Sequence, residues 1–225
     1  MRGQVIRRLI LKDCWLHSPM IIVSIAGGVI ALGILQVGGQ TAFVLGAVFF
    51  FISMMFCASL FPMSNIVNER KNQTLPFLMS LPISVAQYGM AKLVSTVGMF
   101  LIPWLTLIGA ALWMILDRHA LPNGSIPLAL ILAVLPFIGF CLITGASLVG
   151  ESEGWGAAAV AVVNSSYWLA WYFLVSHAPT LTRNWASPVA VWSPAAQNIL
   201  GAEFGIIVLI LGLTLFLQSR KRDFV

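Results

Sequence analysis

Residues 43–67, FVLGAVFFFISMMFCASLFPMSNIV, form a long apolar run, and residues 68–84, NERKNQTLPFLMSLPIS, follow it with charges and two prolines. A transmembrane helix takes about 20 consecutive apolar residues, so the run is long enough to cross a bilayer. The polar segment behind it is either a plain connector or a place where something outside the membrane binds.

The composition of the whole chain is that of an integral membrane protein. Of its 225 residues, 60% are hydrophobic and only 8% are charged, whereas soluble domains carry about 25% charged residues. Alternating apolar and polar ten-residue stretches are missing, which argues against a membrane barrel. We therefore predict an all-α, multi-pass protein in which residues 1–225 form a single membrane domain.

Six apolar runs are predicted to be transmembrane helices. They are residues 18–35, 43–67, 92–116, 126–149, 155–175 and 199–217. The sixth is the least regular of them. Its uninterrupted apolar part is short, and extending it back to Ile199 brings Glu203 into the span.

The distribution of basic residues indicates the orientation. With a cytoplasmic N-terminus, only Arg118 and Arg183 of the lysines and arginines lie outside. The inner set is Arg2, Arg7, Arg8, Lys12, Arg70, Lys71, Lys92, Arg220, Lys221 and Arg222. This bias follows the positive-inside rule and places both termini in the cytoplasm. It also accounts for the net charge of +5 without a nucleic-acid partner.

Two segments outside the spans have their own character. Residues 1–17 are basic and imperfectly amphipathic, which indicates an interfacial helix or merely an anchor for the first span. Residues 176–198 form an outer connection rich in apolar residues, for which we predict short re-entrant helices with tryptophans at the headgroup level. Ser193 and Pro194 are typical of a helix N-cap and first turn.

The segment 68–84 contains the signals of one short helix over residues 75–80. Thr74 can cap it, Pro76 is tolerated in its first turn, and Pro82 cannot continue it. Its apolar residues include Leu75, Phe77, Leu78 and, just beyond it, Leu81. Such residues in a cytoplasmic loop either lie in the lipid interface or pack into another protein.

This segment resembles the sequence that follows the second span in permeases of the type-2 ATP-binding-cassette (ABC) exporter family. Those permeases often show an acidic and a basic residue, a gap, Thr-Leu, apolar residues and Leu-Pro-hydroxyl. The matching positions are Glu69, Arg70, Thr74, Leu75, Leu78, Leu81, Pro82 and Ser84. Gln73 and Pro76 depart from the common pattern, which bears on where the helix starts. With the six spans and the outer connection, the resemblance covers nearly the whole chain.

The resemblance implies a coupling helix after the second span that docks on a cytoplasmic ABC ATPase. The coupling residues would be Glu69, Arg70, Thr74, Leu75, Phe77, Leu78, Leu81 and Pro82, with Glu69 and Arg70 as candidates for ion pairs with the ATPase or the N-terminal helix. This chain has no GxxxxGK[ST] loop, so ATP and Mg would bind two copies of the partner ATPase and no cofactor would bind here. A second permease copy or a paralogue would complete the transporter.

The function expected from the resemblance is export of an amphiphilic substrate, lipid-like, peptide or drug-like, across the bacterial inner membrane. The chain itself would not be an enzyme. Candidate residues of a substrate path are Asn164, Ser165, Tyr167 and Glu203, although helix–helix hydrogen bonding or contact with headgroup water explains them equally simply. Gly27 and Gly28 would permit close approach at a dimer seam.

Other functions remain open or are disfavoured on stated grounds. A six-span scaffold or assembly factor without a transport cycle is the main alternative, whereas the lack of repeats and of mid-depth charges argues against a secondary transporter. Gly145 and Ser147 resemble the GxS nucleophile of intramembrane serine proteases, but all histidines lie at span ends or in loops, which favours helix packing. The three scattered cysteines indicate neither a disulfide nor a metal site.

Overall fold

The computed structural model describes residues 2–71, 85–150, 152–177 and 179–220, and these residues form helices and no strands. The chain begins with α1 (Arg2–Leu16), α2 (Ser18–Gln36) and α3 (Gln40–Pro62). A π-helical turn (Met63–Val67) and the short α4 (Asn68–Lys71) extend α3. The later helices are α5 (Val85–Leu116), α6 (Ile126–Val149), α7 (Glu153–Ser176), α8 (Pro179–Thr182) and α9 (Pro194–Arg220).

Six of these helices are long and apolar enough to cross a membrane, namely α2, α3, α5, α6, α7 and α9. Helices suit this role because each satisfies its own backbone hydrogen bonds within the hydrocarbon. The prediction of an all-α, six-span membrane protein is confirmed at this level. The last helix is longer than predicted, since it already begins at Pro194. Ser193 caps it, with its hydroxyl accepting a hydrogen bond from the Ala196 amide at 3.2 Å.

A short turn connects the first two spans. Gly38 and Gly39 connect α2 to α3 with φ angles of 84° and 87°. This left-handed region favours glycine, which has no Cβ to clash. The two glycines therefore reverse the chain between adjacent antiparallel helices.

Helix α6 lies at the centre of the bundle. In its most apolar window 67% of the residues are buried, against 11% in α7, and it contacts α3, α5, α7 and α9. Phe140 of α6 stacks on Phe100 of α5 with ring centroids 4.2 Å apart. Phe61 of α3 and Ile207 of α9 complete this core. These four spans pack around α6, whereas α2 packs on α3 and α5, and the surrounding spans present apolar side chains outward.

The connection before the last span is mostly irregular. Its described residues contain one four-residue helix, α8, and the expectation of short re-entrant helices stays a prediction. The chain lies on the α5–α6 connection, where the Gly124 amide donates to the Ser187 carbonyl at 2.9 Å and Asn123 Nδ2 donates to the Pro188 carbonyl at 3.0 Å. Trp185 packs against buried residues of α6 rather than standing clear of the protein.

The predicted N-terminal helix is present as α1 and packs against α5. It buries Leu9 and Asp13 and exposes Leu11 and Trp15, the latter by 80%. Helix α1 therefore has apolar side chains on two faces. One face packs on the bundle, and the opposite face is exposed. Its position at a membrane surface stays a prediction.

Candidate functional site

A charge cluster lies at the end of the bundle that carries α1. The side chain of Lys92, near the start of α5, is completely buried. Its Nζ atom lies 2.8 Å from Oδ2 of Asp13 on α1 and 2.7 Å from Oε1 of Glu69 on α4. Asp13 is only 1% exposed. The lysine thus joins three helices through charged groups removed from solvent.

Asn65 and two hydroxyl groups complete the cluster. Asn65, in the π-helical turn, accepts a hydrogen bond from Lys92 Nζ at 3.0 Å. Its Nδ2 atom donates to the hydroxyl groups of Ser95 at 3.1 Å and Thr96 at 2.7 Å. Ser95 in turn donates to Oδ2 of Asp13 at 3.2 Å. Single π-turns occur frequently at functional sites, and this one carries the amide that bridges α3 to α5.

Glu69 links α4 and α5, the two helices that flank residues 72–84. Its Oε2 accepts a hydrogen bond from the Tyr88 hydroxyl on α5 at 3.1 Å. Its Oε1 lies 3.4 Å from Nζ of Lys12 on α1. Of the two partners predicted for a Glu69 ion pair, the N-terminal helix is the one present in the structure. The stems of the 72–84 segment are therefore bound to each other and to α1.

Among the described side chains, the cluster pairs the carboxylates of Asp13 and Glu69 with the ammonium groups of Lys12 and Lys92. Lys12 is 52% exposed, and exposed pairs stabilise a protein by about 0–1 kcal/mol. Lys92 differs, because removing its charge from water costs several kcal/mol that only close, hydrogen-bonded partners offset. Burial, and then the charge of Asp13, raises the pKa of the adjacent Cys14 thiol.

Most of the predicted coupling residues fall outside the described part of the chain. Glu69 lies in the charge cluster, and Arg70 belongs to α4, although its side chain is not among the described residues. The remaining six lie in the segment 72–84, outside the described residues: Thr74, Leu75, Phe77, Leu78, Leu81 and Pro82. The coupling helix itself stays a prediction.

Sequence reasoning missed most of the charge cluster. Its members beyond Glu69 and Lys12 are Asp13, Asn65, Tyr88, Lys92, Ser95 and Thr96. From the sequence, Lys92 was recognised only as one of the basic residues that indicate the orientation of the chain. A usable signal was Asp13, an acidic residue in an otherwise basic and apolar helix, because such a residue needs a cationic partner when it is buried.

The four candidate residues of the substrate path do not come together. Asn164 and Tyr167 line a cavity of about 280 Å³ between α3 and α7, which Ser59 also lines. The hydroxyl oxygens of Ser59 and Tyr167 are buried and have no hydrogen-bond partner among the described residues. Ser165 is exposed on a different face of α7. Among the described residues, the cavity thus has Ser59, Asn164 and Tyr167 in its lining, and the hydroxyl oxygens of the first and third are covered by protein.

Glu203 lies apart from that cavity, on the face of α9 that packs on the bundle. It is 5% exposed within this chain, and contact with headgroup water, one of the two alternatives for this carboxylate, stays a prediction. Its Oε2 atom has no hydrogen-bond partner in the described part of the chain. Ile207 and Thr214 are buried on the same face. A role of Glu203 in a substrate path stays a prediction.

The glycines predicted at a dimer seam pack within this chain. A Cβ atom at Gly27 would lie 2.7 Å from Oγ of Ser53 on α3, and one at Gly28 would collide with Leu107 on α5. These contacts give both glycines a role in close packing of α2 on its neighbours. A dimer seam at this helix stays a prediction.

The packing role expected for the GxS motif is supported. A Cβ at Gly145 would lie 2.6 Å from Oγ1 of Thr214 on α9, and Ser147 is 2% exposed. His17 lies at the junction of α1 and α2, where its ring nitrogen bonds the Asp13 carbonyl at 2.8 Å. Among the described residues, no three His, Cys, Asp or Glu side chains are placed to hold a metal ion.

The chain matches no protein-family model, no curated protein and no solved structure. The resemblance of residues 68–84 to ABC exporter permeases therefore depends on the residues of this sequence alone.

Proposed function

We propose that this chain is the transmembrane permease subunit of an ATP-driven ABC exporter, powered by a separate ATPase that docks on residues 72–84. The observation that carries the proposal is the charge cluster at the base of that segment. Asp13, Glu69 and Lys92 join α1, α4 and α5 at distances of 2.7 and 2.8 Å. A force applied to the segment would therefore reach three helices together.

Rigid attachment is what a coupling element requires. Force is transmitted only if the coupling element and the spans move as one rigid body. Small shifts are amplified at tightly packed interfaces that have two stable arrangements, not at continuously deformable ones. Here both stems of the segment are held by Glu69, which bonds Tyr88 and the buried Lys92. A plain connector between two spans would need no such buried anchoring.

The proposed orientation follows from the same end of the bundle. Described basic residues at this end include Arg7, Arg8, Lys12 and Lys92, and Arg220 ends α9. Lysine and arginine are retained on the cytoplasmic side of membrane proteins. We place this end in the cytoplasm, where an ATPase would meet it, and we place the protein in a bacterial inner membrane as half of a homodimer or heterodimer.

The proposed cargo is amphiphilic. The cavity between α3 and α7 is mostly apolar, with Ser59, Asn164 and Tyr167 among its lining residues. Few polar groups in an apolar site are typical of sites for small organic ligands. Among the described residues that line it, none is charged, which disfavours an inorganic ion as the cargo.

Co-purification with an ATPase tests the proposal. The chain is co-expressed with candidate ABC ATPases, and residues 75–81 are replaced by Gly and Ser at equal length. We expect the wild type to retain the ATPase and stimulate ATP hydrolysis, and the replaced variant to lose both. Val189→Ser together with Val191→Ser, at exposed positions of the opposite connection, is the matched control and should bind normally.

Two outcomes would contradict the proposal. Undiminished ATPase binding by the replaced variant would remove the docking role of residues 75–81. Failure of the wild type to bind any co-expressed ATPase, while the chain remains folded and in the membrane, would instead favour a six-span scaffold without a transport cycle.

A further inference from the structure

A second cavity lies at the end of the bundle opposite α1. Its volume is about 110 Å³. Every span except α9 contributes to its wall, and Leu121 and Trp185 of the connections close it at that end. Its other lining residues include Leu35, Phe50, Ile108, Ala111, Ala129 and Trp171. Among the described residues that line it, none is charged, and the indole groups of Trp171 and Trp185 are the only polar side-chain groups.

Protein interiors rarely contain a void of this size. Native cores are packed to the density of organic crystals and contain few voids larger than a water molecule. Water is no suitable occupant, because a buried water needs two to four polar partners. An engineered apolar cavity of about 150 Å³ stays free of water and binds benzene. The apolar wall of this cavity therefore favours a hydrocarbon group as the occupant.

The cavity is open to its surroundings. Some of its lining residues are buried, such as Phe50 and Leu132, whereas others such as Leu35, Leu112 and Leu130 are half-exposed. The half-exposed positions belong to helices that are apolar enough to span a membrane. What surrounds such helices is the hydrocarbon of lipid tails. A lipid chain can thus reach the cavity without leaving an apolar environment.

We propose that this cavity is a binding site for one acyl chain of a bilayer phospholipid. The volume admits a segment of a single chain and excludes a headgroup, for which the wall offers no charge. The tail would fill the space between α3, α5 and α6 beneath Trp185. The site is independent of any ATPase and of the polar cavity between α3 and α7, so it does not depend on the proposed export function.

Photo-crosslinking in a bilayer tests the site. The full chain is placed in phosphatidylethanolamine nanodiscs that contain the same lipid with a diazirine on one acyl chain, and crosslinks are mapped by peptide mass spectrometry. We expect labelled residues within the cavity wall, on α3 near Phe50 and on α6 near Ala129. Labelling confined to outward-facing residues such as Val208 and Leu209, which are 70% and 67% exposed, would overturn the proposal.

Variants that fill the cavity with a larger side chain provide a second test of the same site. Ala129→Phe and, separately, Ala111→Phe place a ring in the space and should reduce labelling of the wall at least fivefold. Ala202→Phe adds the same ring at an exposed position on α9 and should leave wall labelling unchanged. Equal wall labelling in the filled variants and the wild type would overturn the proposal. The wild-type map alone is decisive if neither filled variant folds.

Discussion

Lys92 is the residue on which the charge cluster depends. Replacing it by methionine keeps most of its volume but removes the closer ammonium partner of the buried Asp13 carboxylate, at 2.8 Å, and leaves the half-exposed Lys12 at 3.6 Å. Breaking a buried pair from one side typically destabilises a protein by about 3–5 kcal/mol. We therefore expect Lys92→Met to lower the thermal unfolding temperature of the purified protein strongly, as followed by scanning fluorimetry in detergent.

Lys12→Met is the matched control for that measurement. Lys12 pairs with the same two carboxylates at 3.4 and 3.6 Å but is 52% exposed, so its removal should cost only about 0–1 kcal/mol. Restoring neutrality around methionine by adding Asp13→Asn should recover part of the loss. If Lys92→Met and Lys12→Met lower the unfolding temperature equally, the burial of Lys92 does not increase its contribution to stability.

Sequence reasoning reached some of these residues and not others. Glu69 was identified because its segment resembles a known motif, and an ion pair with the N-terminal helix was among its predicted partners. The Asp13–Lys92 pair joins residues 79 positions apart, and no local pattern specifies which distant charges a fold will bring together. Glu203 was noticed but its burial on the bundle face was not predicted, because position along a helix does not reveal which face is buried.

At the scale of elements, hydropathy was an accurate guide. Six apolar runs became six long helices whose ends lie within seven residues of those predicted, because hydrocarbon length and backbone satisfaction constrain a span strongly. The connection over 176–198 was harder to predict. Its tryptophans suggested an interfacial position, yet Trp185 packs on α6 and the chain docks on the α5–α6 connection, a tertiary contact that composition cannot show.

That docking should be sensitive to a single methyl group at Gly124. A Cβ atom there would collide with the backbone carbonyl of Asn184, and backbone cannot rotate away as a side chain can. We expect Gly124→Ala to destabilise the docked connection by about 1–3 kcal/mol, the usual cost of overpacking. Limited proteolysis near Trp185 should become faster than in the wild type.

Gly109→Ala is the control for this element, since a Cβ at Gly109 meets no atom within 4 Å. In a helix interior alanine is favoured over glycine by up to about 1 kcal/mol, so this variant should be neutral or slightly more stable. Unchanged proteolysis of Gly124→Ala would mean that the two connections are not held together in solution.

At the scale of the whole molecule, the two ends of the bundle differ in chemistry. The α1 end holds the buried charge cluster and the stems of the 72–84 segment. The opposite end holds the apolar cavity beneath Trp185 and the docked connections. Polar anchoring suits an end that receives force, whereas an apolar cavity suits an end that contacts lipid. Because the two ends differ, the function depends most on which end faces the cytoplasm.

The orientation can be measured with single cysteines. Cys14, Cys57 and Cys141 are replaced by serine or alanine, and a cysteine is introduced either as Gln73→Cys in the predicted coupling segment or as Val189→Cys in the outer connection, where the side chain is 65% exposed. The positive-inside rule predicts that a membrane-impermeant maleimide labels Val189→Cys in intact cells. Gln73→Cys should react only after the membrane is opened. Reaction of Gln73→Cys in intact cells would place the segment outside, where no cytoplasmic ATPase could reach it, and would end the exporter proposal while leaving the six-span fold intact.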